Sequence, residues 1–354
     1  MKRNLLFSVL LFVISAMVLG AYLRRGIDGY EICTFHGMIE GSAEKPFVTR
    51  MLVPFIIREL SSFVPTDVAA KSDAFGDRNI PELHAKTWNI RFTELVFAML
   101  IWYASVIGFA LVMMKIVRHL YVTNTDTLRI IALASVAGLP VFFKYFSYMY
   151  DLPHLMLFTL CLYLCMKQNW KTYLVFLAVT AFSKETAILI PLIFYLFYRN
   201  TELPKPAFRK LLAAQAAIFI SVRAIIYILF LKNAGEFMEV HIRHNLTLEA
   251  YSLSQFLAFS FLVISVFAGW NKKPKILKCW LFTLVPLVLP ALVFGFVDEY
   301  RDYYEAYPAI LLLSAQFIAV QLHEKLFTLK PVTNEQSQTA ANRASVAGIN
   351  FVHN

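Results

Sequence analysis

Asp28 and Glu31, Asp151 and His154, Lys184 and Glu185, His241, Arg243 and His244, and the run Asp298, Glu299, Arg301, Asp302 and Glu305 border the apolar runs of this 354-residue chain. Arg50 adds a guanidinium, and Arg223 another in the middle of an apolar run. Ionisable groups at membrane depth cost free energy and are functional candidates by default. A mixed surface of this kind suits a polar, phosphate-bearing substrate, because carboxylates can take a proton and cations can stabilise developing negative charge. Each group also has a simpler reading. Asp28 precedes Gly29, a strong turn signal. Asp151 before Leu152-Pro153 can be a helix N-cap, Arg50 can snorkel from an interfacial helix, and Lys184 with Glu185 can be a mutually neutralising pair. Glu185 can equally orient Lys184.

The elements that must position these residues follow from composition. The chain is 59% apolar and 16% charged, against roughly 25% charge in an ordinary soluble domain, and its mean hydropathy is +0.61. That excludes a secreted disulfide scaffold, a disordered chain and a cytosolic enzyme. Four cysteines, Cys33, Cys161, Cys165 and Cys279, are too scattered for a disulfide framework or a zinc site. The net charge of +10 reads as basic cytoplasmic loops rather than nucleic-acid binding. No Gly-rich phosphate loop is present.

A bilayer core about 30 Å thick takes about 20 apolar residues per helix. Apolar runs bounded by charge predict an all-α, polytopic transmembrane bundle of about ten crossings. They run over Leu5–Leu23, Thr93–Lys115, Ile130–Tyr150, Leu152–Met166, Thr172–Phe182, Thr186–Tyr198, Leu211–Leu231, Leu253–Trp270, Cys279–Val297 and Pro308–Leu322. The first is read as a retained anchor rather than a cleaved signal peptide. The membrane domain occupies 1–324, with an external loop over 24–91 that contains an amphipathic interfacial helix over 48–64 and a polar, loop-like stretch after it. Residues 325–354 form a largely disordered cytoplasmic tail. Lys and Arg concentrate in alternate loops, which places both termini in the cytoplasm.

Between Lys171 and Arg199 there are too few residues for two full crossings, which need about 40. A single crossing would move the Lys272 to Lys278 cluster outside. Two short helices meeting in a recessed Ser183-Lys184-Glu185 turn keep the charge pattern, and irregular backbone at that depth must line a cavity or be buried in protein. Around Arg301, Tyr300, Tyr303, Tyr304 and Tyr307 read as an interfacial aromatic belt or as a sugar-stacking platform. Asn245-Leu246-Thr247 is a formal glycosylation sequon.

Four segments carry a family resemblance: Arg25-Gly26-Ile27-Asp28-Gly29-Tyr30, Thr49-Arg50-Met51-Leu52-Val53-Pro54, Tyr150-Asp151-Leu152-Pro153 and Ser183-Lys184-Glu185-Thr186. In order and spacing they resemble the bacterial polytopic glycosyltransferases of the GT-C superfamily over most of residues 20 to 200. The resemblance implies a GT-C-like fold in a bacterial inner membrane and transfer of a sugar from a polyprenyl-phosphate-linked donor to a glycan or lipid acceptor on the external face. Asp28 would be the catalytic base. Glu31, Arg50, Asp151, His154, Lys184, Glu185, Arg223, His241, Arg243, His244 and Arg301 would contact substrates, with Lys184, Arg50 and Arg301 stabilising the departing phosphate. The Asp-x-Asp of many members is missing, which leaves dependence on a divalent cation, Mg or Mn, open. A transporter or flippase of an anionic lipid or solute is the alternative, since transporters also place broken helices beside charged residues.

Overall fold

The computed structural model describes residues 2–24, 27, 31–80, 90–199, 201, 203–235, 242–246, 253–321 and 328–329. The chain is helical nearly throughout: α1 (Lys2–Arg24), α2 (Phe35–Glu40), α3 (Leu52–Ser62), α4 (Thr66–Asn79), α5 (Phe92–Leu120), α6 (Thr125–Ala137), α7 (Asp151–Met166), α8 (Trp170–Ser183), α9 (Leu189–Tyr198), α10 (Lys205–Leu229), α11 (Ile242–Asn245), α12 (Leu253–Phe267), α13 (Lys275–Leu281), α14 (Leu284–Phe294) and α15 (Tyr307–Gln321). The strands described, Tyr121–Val122 and Thr328–Leu329, pair antiparallel. Apart from the latter pair, the tail expected to be disordered lies outside the described residues.

Among the described residues, five helical stretches are long and apolar enough to cross a membrane: Arg3–Arg24, Phe92–Leu120, Thr125–Phe142, Lys205–Leu229 and Lys275–Phe294. Length corrects the expected ten. The spans predicted on either side of Lys184 are helices of 14 and 10 residues, roughly 21 and 15 Å long at 1.5 Å per residue. The run over Ile130–Tyr150 is displaced: its helical stretch starts at Thr125 and ends at Phe142. Pro140 lacks a backbone N–H, and α6 gives way to a 3-10 turn over Leu139–Phe142 followed by irregular chain.

The long α5 lies at the centre of the bundle and packs against α1, α3, α4, α6 and α7. Trp102 on α5 is fully buried and donates its indole N–H to the Met149 carbonyl at 2.7 Å, so a large ring is placed without stranding its polar edge. Further along, Tyr173 on α8 donates to Gln215 on α10 at 2.7 Å, and Tyr198 on α9 to the Cys165 carbonyl at the end of α7 at 2.9 Å. Interhelical bonds of this sort contribute about 0.6–2 kcal/mol each in an apolar bundle.

α8 and α9 double back on each other. Trp170 at the start of α8 packs edge-on against Phe194 and Tyr198 near the end of α9, with ring centroids 5.9 and 5.6 Å apart. The reversal happens at Lys184, whose backbone is extended (φ −158°, ψ 149°) between α8 and a short 3-10 turn over Glu185–Ile188. Ser183 and Lys184 are both buried, which is the recessed turn the charge pattern called for.

The segment between α1 and α5 departs from expectation twice. The interfacial helix begins at Leu52, not at 48, after a 3-10 turn over Phe47–Thr49, so Arg50 sits in the break between them. The stretch read as polar loop contains α4. Its composition offers no apolar stripe, but Asp67 in the first turn and Arg78 in the last complement the helix dipole. Asp73 accepts from both the N–H and the hydroxyl of Thr93, at 3.0 and 2.9 Å, fixing α4 to the start of α5. Gly76 lets the helix approach closely, because a Cβ there would lie 2.5 Å from Cβ of Phe92.

Candidate functional site

The segment joining α6 to α7 supplies the scaffold of the site. Tyr148 and Tyr150 are buried and stack nearly parallel, with centroids 5.3 Å apart and planes at 7°. Asp151, at the first position of α7, accepts from the Tyr148 backbone N–H at 3.1 Å and so tightens the turn that brings the two rings together. Each outer face of the stack carries a guanidinium. Arg50 lies 4.8 Å above the Tyr150 ring and Arg301 3.8 Å above Tyr148, a column of cation, ring, ring and cation that favours charge over the negative ring faces.

Both guanidiniums are held by carboxylates. Arg50 donates through Nε to the two Glu185 oxygens at 3.2 Å each, pairs with Glu185 again through Nη2, and also bonds the Tyr150 hydroxyl. Arg301 pairs with Glu299 and donates to the Phe146 carbonyl. Lys184 reaches Glu305 at 3.4 Å, and His154 Nε2 lies 3.4 Å from the same oxygen. Thr186 completes this knot, 3.0 Å from His154 Nε2 and bonded to Glu305. Next to it, Asp298 accepts from Lys144 and, at 2.6 Å, from Tyr145.

The pairing differs from either sequence reading. Lys184 and Glu185 are not each other's ion-pair partner: Lys184 pairs with Glu305 and Glu185 with Arg50, although the charge of Lys184 still acts on Glu185. Arg50 does not snorkel outward; it points into the bundle. Asp151 does make the local turn bond expected of a cap, and its charge also acts on Lys184 and Arg301. Of the four tyrosines around Arg301, Tyr304 and Tyr307 are buried in the bundle, and Tyr300 and Tyr303 are half-buried. Tyr304 stacks on Phe142 at 4.8 Å, and Tyr307 meets the same ring at 5.0 Å while donating to the Ser135 carbonyl at 2.7 Å.

Carboxylates outnumber cations here, and the surplus shows in titration. Burial, with repulsion from Asp302 and Asp151, pushes Glu299 up to about 7 despite its contact with Arg301. Burial also raises Asp302, against the pull of Lys184 and Arg301. Glu305 moves the other way. Burial alone would raise it, but Lys184 and His154 hold it down to about 2. Glu305 Oε2 and His154 Nδ1 are buried without a hydrogen-bond partner among the described residues, leaving atoms that a bound group or water can satisfy.

Of the residues singled out in the sequence, Arg50, Asp151, His154, Lys184, Glu185 and Arg301 come together. Asp28 and His241 lie outside the described residues, although Ile27, beside Asp28 in sequence, is buried and bridged to Ser147. Glu31 is exposed in a 3-10 turn and Arg243 is exposed on α11; neither joins the cluster. His244 belongs to the same short helix, and its side chain is outside the description. Arg223 stands apart, 3.4 Å from Thr49.

Sequence reasoning missed the Tyr148–Tyr150 stack, for which the Tyr-x-Tyr-Asp spacing was the available signal, and the roles of Thr186 and Lys144. Asn245, noted only as part of a formal sequon, has a structural role. The sequon side chain donates to the carbonyls of Ala291, Leu292 and Gly295 at 2.8–3.0 Å and accepts from Val297 N–H. It terminates α14 and sets the course of the chain toward Asp298 and Arg301. Among the described residues no three His, Cys, Asp or Glu side chains are placed to hold a metal ion, so no ligand set for Mg or Mn stands here.

No known protein family, curated protein or solved structure matches this chain.

Proposed function

We propose that the protein is an integral-membrane glycosyltransferase that moves a sugar from a polyprenyl-phosphate-linked donor to a cell-surface glycan or lipid acceptor. The observation that carries this reading is the convergence of Arg50, Lys184 and Arg301, each fixed by a carboxylate, at one end of an apolar helical bundle. Fixed cations in a site shielded from water stabilise a departing phosphate far better than mobile ones in bulk solvent. In the reaction, Asp28 takes the proton of the acceptor hydroxyl as its oxygen attacks the anomeric carbon. The bond from that carbon to the phosphate oxygen breaks, and its electron pair stays on the polyprenyl phosphate beside the cations. Burial of Ile27 against Ser147 supports delivery of the first loop to this end.

The two ends of the bundle differ in charge in the sense of the positive-inside rule. Lys115, Arg118, Lys171, Arg209, Lys272 and Lys278 lie at the end opposite the cluster. On this basis the cluster faces outward from a bacterial inner membrane, with both termini in the cytoplasm.

The test is transfer by purified protein from a panel of polyprenyl-phosphate sugars. Asp28→Asn keeps size and turn propensity and removes the base, so the rate is expected to fall about 100-fold to 10,000-fold. Wild-type rates in that variant would refute Asp28 as base. The second reading, a transporter or flippase of an anionic lipid or solute, is favoured by the broken helix at Lys184. It gains if wild type transfers no sugar across the panel yet moves an anionic lipid in proteoliposomes.

A further inference from the structure

Beside the cluster, and separate from it, a cavity of about 430 Å³ lies against α10, lined by Lys45, Thr49, Phe219, Arg223, Tyr227 and Phe230 among others. Two of its lining residues are cations, and none is an acid. Arg223 makes one long bond, 3.4 Å to the Thr49 hydroxyl, and its Nη1 is buried without a partner among the described residues. The nearest charges acting on it are Glu185, already held by Arg50, and Arg50 itself.

The setting says what could meet this guanidinium. Arg223 lies six residues before the end of α10, roughly 9 Å along the axis, at the end that carries the charge cluster. The helix around it shows apolar side chains outward, with Ile220 65% and Ile228 70% exposed, as a span facing acyl chains would. Lys45 is fixed in place: its N–H donates to Ala234 at 2.9 Å, and Asn233 donates to the Gly41 and Ala43 carbonyls at 2.8 and 2.9 Å. Gly235, at φ +96°, is required there, since a Cβ would lie 2.5 Å from the Lys45 carbonyl oxygen. Two cations in a cavity that opens beside an apolar helix face match a lipid phosphate with its tails on the helix.

We infer that this cleft binds an anionic phospholipid of the surrounding bilayer, its phosphate between Arg223, Lys45 and Thr49 and its acyl chains along Ile220 and Ile228. The site needs only that α10 stands in a membrane; it does not rest on the transferase reading.

The experiment uses full-length protein purified in mild detergent, equilibrated with equal amounts of phosphatidylglycerol and phosphatidylcholine, with retained lipid counted by native mass spectrometry. Wild type should retain phosphatidylglycerol in preference by about fivefold or more, the scale of one basic residue at an anionic lipid surface. Arg223→Gln and the cavity-filling Ala224→Trp should each abolish that preference, and Arg223→Lys should keep most of it. The two disabling variants act by different routes, so a folding defect in one leaves the other as the test. Equal retention of both lipids by wild type would overturn the inference, as would an unchanged preference in both disabling variants. Displacement of phosphatidylglycerol by equimolar undecaprenyl phosphate would also overturn it, by making the cleft part of a carrier-lipid path.

Discussion

Arg50, in the break before α3, and Arg223, on α10, both feel the charge of Glu185 and end in opposite circumstances. Arg50 takes both oxygens of Glu185, the Tyr150 hydroxyl and the face of the Tyr150 ring. Arg223 is left with Thr49 at 3.4 Å and an unbonded Nη1. An isolated charge away from water is costly, and a charge with a bidentate partner much less so. One guanidinium is therefore part of the architecture and of a fixed electrostatic field. The other carries a desolvation cost that one long bond to Thr49 and the charge of Glu185, already paired with Arg50, offset only in part, which is the condition of a group awaiting a ligand.

The largest effect separating the two regions is expected at Glu305, which is fully buried and serves Lys184, His154 and Thr186 together. Glu305→Ala strands Lys184, and losing one partner of a buried ion pair costs about 3–5 kcal/mol. Thermal unfolding in detergent measures it. The double variant Lys184→Met with Glu305→Leu should recover most of the loss, because well-packed apolar replacements of a buried pair are often neutral. A Glu305→Ala protein as stable as wild type would show that the cluster is solvated and its pairs dispensable, erasing the contrast with Arg223.

How far this was legible in the sequence depends on the range of the interaction. The ends of α1, α5, α7, α10 and α15 follow from apolar runs and fall within a few residues of the expected spans, α10 starting earliest, at Lys205. The reversal at Lys184 followed from charge and length alone. Helix α4 was invisible because its stability comes from Asp73 and Gly76 meeting residues of α5, not from its own pattern. The ion pairs were equally hidden. Arg50 and Glu185 stand 135 positions apart, and nothing local told Lys184 to choose Glu305 over the carboxylate next to it. Composition identified which charges matter; only packing could assign their partners.

The middle-sized effect is a pH dependence that belongs to the cluster's surplus of carboxylates. Glu299 is raised from the ordinary carboxylate range to about 7, chiefly by burial. Between about pH 4.5 and 7 the folded protein thus binds a proton at this site that the unfolded chain has released. Stability falls as pH rises through that window, by about 3 kcal/mol, and Glu299→Gln should flatten the slope. Glu305, held low, contributes in the opposite sense and elsewhere: its stabilisation is present above about 4.5 and is lost only as pH falls toward about 2. A wild-type profile flat from pH 4.5 to 8 would mean that Arg301 neutralises Glu299 fully and that the cluster carries no surplus of carboxylate.

The smallest effect is the most discriminating. Arg223→Met removes a guanidinium with one long bond from a helix whose outer face is apolar. Arg and Met have similar helix propensity, Met extends the apolar lining of the cleft, and the cost of holding a poorly partnered charge disappears. The change in unfolding free energy should stay within about 0.5 kcal/mol in detergent without anionic lipid. Arg50→Met, which strands Glu185 beside Tyr150, should cost several times more. Adding phosphatidylglycerol should then raise the melting temperature of wild type and leave Arg223→Met unmoved, since only a ligand bound to the folded state stabilises it by mass action. If Arg223→Met instead lost more than about 1 kcal/mol without lipid, Arg223 would be structural like Arg50, and the distinction between a charge already spent on the fold and one kept for a ligand would collapse.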